Sequence, residues 1–339
     1  FKWWRGVFVP TTQKLYFSPH HADSVLIVDP MTNASDTTTI ANLGVDDHKW
    51  VDVIFVPTTK NFTFLLIKPT TCLVDPLTNV SDTTAIAGLG GGGGKWWRGV
   101  FVPTTGKLYF TPMYANNVLI VDPISNVSDT TAIGGFGAGS AKWAGVVFAS
   151  TTGKLYFAPY VSDVMLIVDP ATNASDITAI SGFGTSSSHK WIAGVFAPTT
   201  GKIYFAPSNA DSVLVVDPTT NVSDTTAIAG FGVKSAKWSD VVFLHTTGKL
   251  YLSPFDATSV LVVDPMTNQS DVSLIFGLSQ QHLKWRCVTV APTTGKLYSC
   301  PYDTDSVLIV APIDPCMLTN CSTSCENECG WQYEQQLCR

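Results

Sequence analysis

The chain of 339 residues predicts an all-β fold, a seven-bladed β-propeller with a short disulfide-rich C-terminal tail, on three observations. The first is an internal repeat. Lys-Trp recurs at Lys2-Trp3, Lys49-Trp50, Lys95-Trp96, Lys142-Trp143, Lys190-Trp191, Lys237-Trp238 and Lys284-Trp285, at spacings of 47, 46, 47, 48, 47 and 47 residues. Self-similarity at roughly this period is the signature of stacked supersecondary units such as propeller blades. The second is composition: 14% of residues are charged and 45% hydrophobic, with 26 Gly, 20 Pro and abundant Thr, which suits short strands joined by tight turns. The third is that every copy contains runs of β-forming residues separated by turn residues.

The third copy shows the unit. It runs from Lys95 through KWWRGVFVP, TTGKLYFTP, MYANNVLIVDP and ISNVSDTTAI to a glycine-rich connector. Strand a is read as Trp-x-x-Gly-Val-Phe-Val, and a Pro-Thr-Thr-Gly turn leads into strand b, Lys-Leu-Tyr-Phe. Strand c is Val-Leu-Ile-Val, whose unbroken apolar run implies burial on both faces between neighbouring blades. It ends at Asp-Pro-x-Thr-Asn, and strand d is placed at the following Asp-Thr-Thr-Ala-Ile. One blade cannot bury both its faces alone, so stability must come from the closed ring. The propeller is assigned to residues 1–312, with repeats starting near 2, 49, 95, 142, 190, 237 and 284, and the Cys-rich tail to 313–339.

The pattern Gly-Val-x-x-x-Pro-Thr-Thr-Gly-Lys-Leu-Tyr-Phe, followed by Ser-Val-Leu-Ile-Val-Asp-Pro-x-Thr-Asn, resembles the YVTN/NHL-like propeller repeat of secreted and surface-layer proteins. The low-charge repeat is also similar to secreted propeller glycoproteins of algae and other microbial eukaryotes. This resemblance covers residues 1 to about 312 and implies a fold; such propellers serve as adhesion, scaffold and occasionally enzyme modules.

Antiparallel strands alternate direction, so the a–b and c–d turns fall on one face of the disc, and the b–c turns and connectors on the other. Six N-x-[ST] sequons occupy one repeat position in the c–d turn: Asn33, Asn79, Asn126, Asn173, Asn221 and Asn268. Asn320 is read as the displaced seventh, and Asn61 falls at an a–b turn, which puts all eight candidates on one face. An Asn at this place also makes a tight turn, and both readings hold together.

Of the eight cysteines, Cys72, Cys287 and Cys300 lie in the propeller, and Cys316, Cys321, Cys325, Cys329 and Cys338 in the last 24 residues. The tail spacing C-x4-C-x3-C-x3-C-x8-C has no histidine and no C-x2-C pair, so disulfides are expected rather than a metal site. Its final C-x8-C is similar to the end of an EGF-like module, although the C-x-C signature is absent. Cys287 and Cys300 fall on adjacent strands and are candidates to pair with each other or with the tail. Blade 7 departs from the repeat: Ala311 replaces the recurring Asp and no Asp-Thr-Thr-Ala-Ile follows. It is left with three strands and an open edge unless residues 322–335 fill it, so the tail either closes its own ring or docks on a neighbour.

A residue present in every blade is expected to be scaffold, whereas an active site should break the symmetry. The Lys-Trp pairs and the Tyr of Leu-Tyr-Phe are scaffold by that test, although a Trp ring could stack on sugars. The symmetry breakers noted are His20-His21 in a b–c turn and Asp46-Asp47-His48 in the next connector, which could hold a cation; two solvated polar loops are the favoured reading. No G-x-S-x-G, H-E-x-x-H, phosphate-loop or EF-hand pattern is present. No cofactor is expected.

The net charge of −6 argues against nucleic acid or anionic membrane as main partner, and no stretch of the sequence is apolar enough for a membrane helix. Because Phe1-Lys2-Trp3-Trp4 already belongs to the repeat, the chain is read as a mature or trimmed product. The expectation is a secreted, N-glycosylated structural or interaction protein rather than an enzyme. It would be a subunit of a fibrous or surface assembly, contacting itself or other extracellular glycoproteins through the glycan-free face and the tail. A multivalent lectin or adhesin is the alternative, ahead of a propeller lyase or hydrolase.

Overall fold

The computed structural model describes residues 2–44, 49–66, 71–86, 89, 93–185, 189–234, 236–313 and 332–338. Among them, seven four-stranded antiparallel sheets follow one another along the chain, each ordered a-b-c-d. In blade 3 these are strand a (Trp96–Val102), strand b (Lys107–Pro112), strand c (Leu119–Asp122) and strand d (Val127–Asp129). The a–b hairpin turns on Gly106, whose φ of 69° is open to glycine without cost, and whose N–H donates to Val102 O at 2.9 Å. Gln13 and Lys60 hold the same left-handed conformation in blades 1 and 2.

Strand c is buried along its apolar run, as its sequence requires: Leu119, Ile120 and Val121 are all in the core. The blades interlock through strand b. The hydroxyl of Tyr109 donates to Pro170 O of the next blade's c–d turn at 3.2 Å, Tyr156 to Pro218 O at 2.9 Å and Tyr204 to Pro265 O at 3.1 Å. Tyr298 of blade 7 makes the same bond to Pro30 O of blade 1 at 3.2 Å. On the opposite face the Lys2 N–H donates to Tyr302 O at 2.7 Å, as Lys142 N–H does to Met113 O and Lys190 N–H to Tyr160 O within the ring. The ring is therefore closed by the bonds that join its other blades.

Two expectations are corrected. Strand d lies earlier than the sequence reading placed it, on the sequon residues themselves (Val127–Asp129, Ala174–Asp176, Val222–Asp224), and it ends at the Asp taken as its start. The reason is local. Asp129 Oδ1 accepts from Thr131 N at 2.7 Å, Thr131 Oγ1 at 2.8 Å and Ala132 N at 3.2 Å, an Asx turn that pulls the chain out of the ladder. Blade 7, secondly, has no open edge: Gln332–Cys338 pairs antiparallel with Val307–Ile313 from Val307↔Cys338 to Ile313↔Gln332. The tail thus supplies the missing strand from within the same chain, somewhat later than residues 322–335, and this edge is not left for another molecule.

A feature common to the inner strands positions the axial residues. Strand a pairs with strand b at Trp3↔Pro19 and again at Gly6↔Phe17, three residues against two, and one extra residue on strand a likewise follows Trp50, Trp96, Trp143, Trp191 and Trp238. Such a bulge re-aims the residues it contains. Here it turns the two positions after each Trp toward the propeller axis.

Candidate functional site

The turn face is built by backbone geometry. All six recurring sequon asparagines adopt φ of 57–60°, a left-handed conformation that Asn tolerates better than other side chains. The preceding Asp fixes the corner: Asp29 Oδ1 accepts from Met31 N at 2.8 Å, and Asp29 O accepts from Asn33 N at 2.8 Å. Asn33, Asn79, Asn126, Asn173, Asn221 and Asn268 are all half-buried or exposed. Where the amide is held, it is held through its oxygen: Tyr298 donates to Asn33 Oδ1 at 2.8 Å and Tyr156 to Asn221 Oδ1 at 3.1 Å. That leaves Nδ2, the atom that carries an N-glycan. Two residues before four of these asparagines an apolar side chain stands in solvent: Met31, Leu77, Ile124 and Met266. Asn61 is half-buried at the a–b turn of blade 2, on the same face, and Asn320 lies outside the described residues.

The recurring Lys-Trp pairs are scaffold. Trp50, Trp96, Trp143, Trp191, Trp238 and Trp285 are buried, and the Nε1 of Trp96, Trp143, Trp191, Trp238 and Trp285 donates to a carbonyl 21 residues on. From blade 2 onward the lysine ties down the connector before it, as Lys142 does to Gly137 O, Lys190 to Gly184 O and Lys237 to Gly232 O, all at 2.8 Å. Desolvation pushes the Lys237 ammonium down to about 8. Cys287 and Cys300 form a disulfide across strands a and b of blade 7, with Cα atoms 5.4 Å apart. Cys72 is a buried free thiol in strand c of blade 2, pushed up to about 12 by desolvation, and is no disulfide partner among the described residues. Cys316, Cys321, Cys325 and Cys329 lie outside those residues.

Of the weak metal candidates, Asp46, Asp47 and His48 lie outside the described residues. His20 is not in a solvated loop, as its sequence context suggested. It is buried, with its ring 4.3 Å from that of Trp4 and stacked at 4.6 Å on His21. Its neighbours are aromatic, and no group of three or more metal-ligating side chains occurs among the described residues.

The residues that most strongly break the sevenfold symmetry are on the axis, and the sequence reading passed over them. Two positions after each Trp stand Arg5, Asp52, Arg98, Gly145, Ala193, Asp240 and Cys287. The bulge gathers the charged members into a buried network. Arg98 donates through Nη1 to Asp240 Oδ1 at 2.7 Å and through Nη2 to Ser239 O at 2.9 Å. Arg5 Nε sits 3.0 Å from Asp52 Oδ1, and its Nη1 4.0 Å from Asp240 Oδ1. Asp52 also accepts from Gly99 N at 2.6 Å and Val53 N at 3.0 Å, and Asp240 from Val288 N at 3.2 Å. Asp52, Arg98 and Asp240 are 0%, 2% and 3% exposed. Burial pushes the Asp52 carboxyl up; it does the same at Asp240, but Arg98 and Arg5 outweigh it and hold that carboxyl below its ordinary range. Desolvation brings the Arg98 guanidinium down to about 10, which leaves it charged at neutral pH.

Toward the sequon-free face a third arginine, Arg286, sits among rings. Its guanidinium carbon is 4.2 Å from the Trp4 ring, 4.8 Å from Phe255 and 5.9 Å from Tyr302. Trp4 in turn packs edge-on against Trp97 at 5.4 Å and Tyr302 at 5.3 Å. The Nε–H of Arg286, the Nε–H of Arg98 and the indole N–H groups of Trp4 and Trp97 are all buried without an acceptor among the described residues. Each such donor left unpaired costs about 1–3 kcal/mol. Listing the residues at these two positions blade by blade would have exposed the cluster, because the other blades offer Val51, Ala144, Gly145, Ile192 and Ala193 there.

No protein-family model matches the sequence, and no curated protein matches it. The fold is similar to that of virginiamycin B lyase from Staphylococcus aureus, at 8% identity, with 91% of each chain covered and a TM-score of 0.62. It is similar to the extracellular domain of a one-component system from B. thetaiotaomicron, at 10% identity and a TM-score of 0.60, over 89% of this chain and 40% of that one. A chain of the nidogen/laminin complex is 11% identical over 76% of this chain and 91% of its own, with a TM-score of 0.53. At these identities the likeness establishes the fold alone: a seven-bladed β-propeller.

Proposed function

We propose that this protein is an extracellular, N-glycosylated structural or interaction module, a subunit of a surface or fibrous assembly. Its sugars stand on the turn face and its contacts form through the opposite one. The observation that carries this reading is the repeated placement of six sequon asparagines at the same left-handed corner of an exposed turn on one face. The exposed apolar side chains beside them add to it. Met31, Leu77, Ile124 and Met266 stand two residues from a sequon Asn, where an attached polar glycan covers them. The Cys287–Cys300 disulfide and the extracellular setting of one structural neighbour are consistent with secretion. The resemblance of the repeat to secreted algal and microbial-eukaryote propeller glycoproteins belongs to the same proposal, as does a non-enzymatic role.

Because the Gln332–Cys338 strand completes blade 7, the assembly contact is assigned to the sequon-free face rather than to an open sheet edge. The lectin alternative, if pursued, has to rely on surfaces other than the Lys-Trp ring, whose indoles at Trp50, Trp96, Trp143, Trp191, Trp238 and Trp285 are buried. Negative-stain microscopy of the native secreted material tests the assembly: stacked or linked discs are expected, and isolated discs at every concentration would overturn it.

A further inference from the structure

The axial cluster carries an inference of its own, independent of the glycan reading. Three guanidinium groups, Arg5, Arg98 and Arg286, share the axis with two carboxylates, Asp52 and Asp240. Arg98 and Asp240 form a close pair, Arg5 lies against Asp52, and Arg286 has no carboxylate within salt-bridge distance among the described residues. Arg286 is 8% exposed, so it holds a charge in a place where an unpaired ion is costly. The faces of Trp4 and Phe255 recover part of that cost through cation–π contact, but they accept no hydrogen bond in the plane of the guanidinium.

Four of the buried polar groups in and beside this cluster are donors without a partner among the described residues. Trp4 Nε1, Trp97 Nε1, Arg98 Nε and Arg286 Nε are donors only, with no acceptor in reach, and Trp4 touches both Trp97 and Arg286. A scaffold of buried side chains normally balances donors against acceptors. Here four donors and a guanidinium without a contacting carboxylate stand together where the inner strands depart from the sevenfold repeat. Asp256, whose Oδ1 accepts from Leu283 N at 2.7 Å and whose Oδ2 lies 3.4 Å from His282 Nδ1, acts on Arg286 only from beyond salt-bridge distance. Desolvation raises Tyr160 to about 12, and burial together with the Arg286 charge holds His189, stacked on Tyr160 at 4.3 Å, below its ordinary value. Tyr160 therefore stays a neutral phenol, and His189 a neutral imidazole, near a cation.

We infer that the axial cluster around Arg286, Trp4 and Trp97 binds one small monovalent anion, a halide or the carboxylate of a larger ligand that reaches the axis from the sequon-free face. A single negative charge matches the one axial guanidinium, Arg286, that has no carboxylate at salt-bridge distance among the described residues, and a halide or a carboxylate oxygen accepts from several N–H donors at once. The ligand's charge and acceptors replace what Arg286, Trp4 and Trp97 lack, and no covalent step is involved.

The test titrates bromide and, separately, acetate into the whole protein at ionic strength held constant with sulfate, following tryptophan fluorescence. A saturable response to bromide, to acetate or to both is expected; bromide alone marks a halide site, and a response to acetate marks a carboxylate site. Arg286→Met should weaken the response roughly ten- to a hundredfold, the range expected for losing a charged hydrogen-bonding partner. Arg286→Lys, which keeps the charge in the cluster but loses Nε, serves as the second variant if the Met variant fails to fold, and should weaken it less. Crystals grown with bromide should show an anomalous peak within hydrogen-bonding distance of Trp4 Nε1, Trp97 Nε1 or Arg286 Nε. A response to neither anion, a response unchanged in both Arg286 variants, or, where bromide gives the response, a water in place of the anomalous peak would overturn the inference.

Discussion

Asp240 is the residue whose loss the structure makes most informative. Its carboxylate accepts from Arg98 Nη1 at 2.7 Å and from Val288 N at 3.2 Å, and faces Arg5 Nη1 at 4.0 Å, while being 3% exposed. Asp240→Asn keeps the shape, removes the charge, and replaces one of two used acceptor oxygens (Oδ1 toward Arg98, Oδ2 toward Val288 N) with an NH2 donor. It leaves Arg98, 2% exposed, as a buried cation with no counter-charge at contact distance. Breaking a buried pair in this way costs about 3–5 kcal/mol. For a ring of 339 residues unfolding as one unit, the entropy of unfolding is roughly 0.7 kcal/mol/K, so the melting temperature should fall by about 4–7 °C. Arg98→Met combined with Asp240→Asn removes one charge of each sign and returns the axis to its original excess of one positive charge. The double variant should therefore be more stable than Asp240→Asn alone, with a coupling of at least about 1 kcal/mol. Thermal unfolding followed by tryptophan fluorescence reads all four corners of the cycle, and added salt should change the coupling little because the pair is buried. If Asp240→Asn is neutral, or the two substitutions add without coupling, the axial network is solvated and the reasoning fails.

Tyr298→Phe deletes the hydroxyl bonds to Pro30 O and Asn33 Oδ1 that join blade 7 to blade 1, and Tyr156→Phe deletes the equivalent bonds within the ring. Each should cost about 1–2 kcal/mol in denaturant unfolding, and a much larger loss at Tyr298 would show that the seam is weaker than the other joints. Lys237 has a folded-state value of about 8 against an ordinary 10.5, so folding disfavours its charged form. That penalty is fully present below pH 8 and is relieved as pH rises from 8 toward 10.5, so stability should increase over this window, less so in Lys237→Met. Burial raises Tyr109, Tyr156 and Tyr204, which reverses the trend once tyrosines of the unfolded chain ionise near pH 10. Peptide mapping without reduction should recover Cys287 linked to Cys300, and Cys72 should react with an alkylating reagent only after unfolding.

The fold was legible because each blade writes its own turns. Asp-Pro-x-Thr-Asn and Pro-Thr-Thr-Gly place a left-handed residue where a hairpin needs one, and Gly106 and Asn126 adopt it. Strand d was misplaced because period and β-propensity favour Thr-Thr-Ala-Ile, whereas the carboxylate of Asp129 captures the amides of Thr131 and Ala132 and ends the ladder. The axial site was hidden for another reason. Arg98 and Asp240 are 142 residues apart, and only the closed ring and the bulge after each Trp bring them together. The symmetry breaks most strongly at the two positions that follow Trp in each blade, not at the histidines in the loops.

Glycopeptide mapping of the protein secreted from a eukaryotic host tests the two-faced disc most directly. The account predicts N-glycans at Asn33, Asn79, Asn126, Asn173, Asn221 and Asn268, on the turn face, and an intact mass that falls on glycosidase treatment. Unmodified asparagines at these positions, with no mass change, would contradict it.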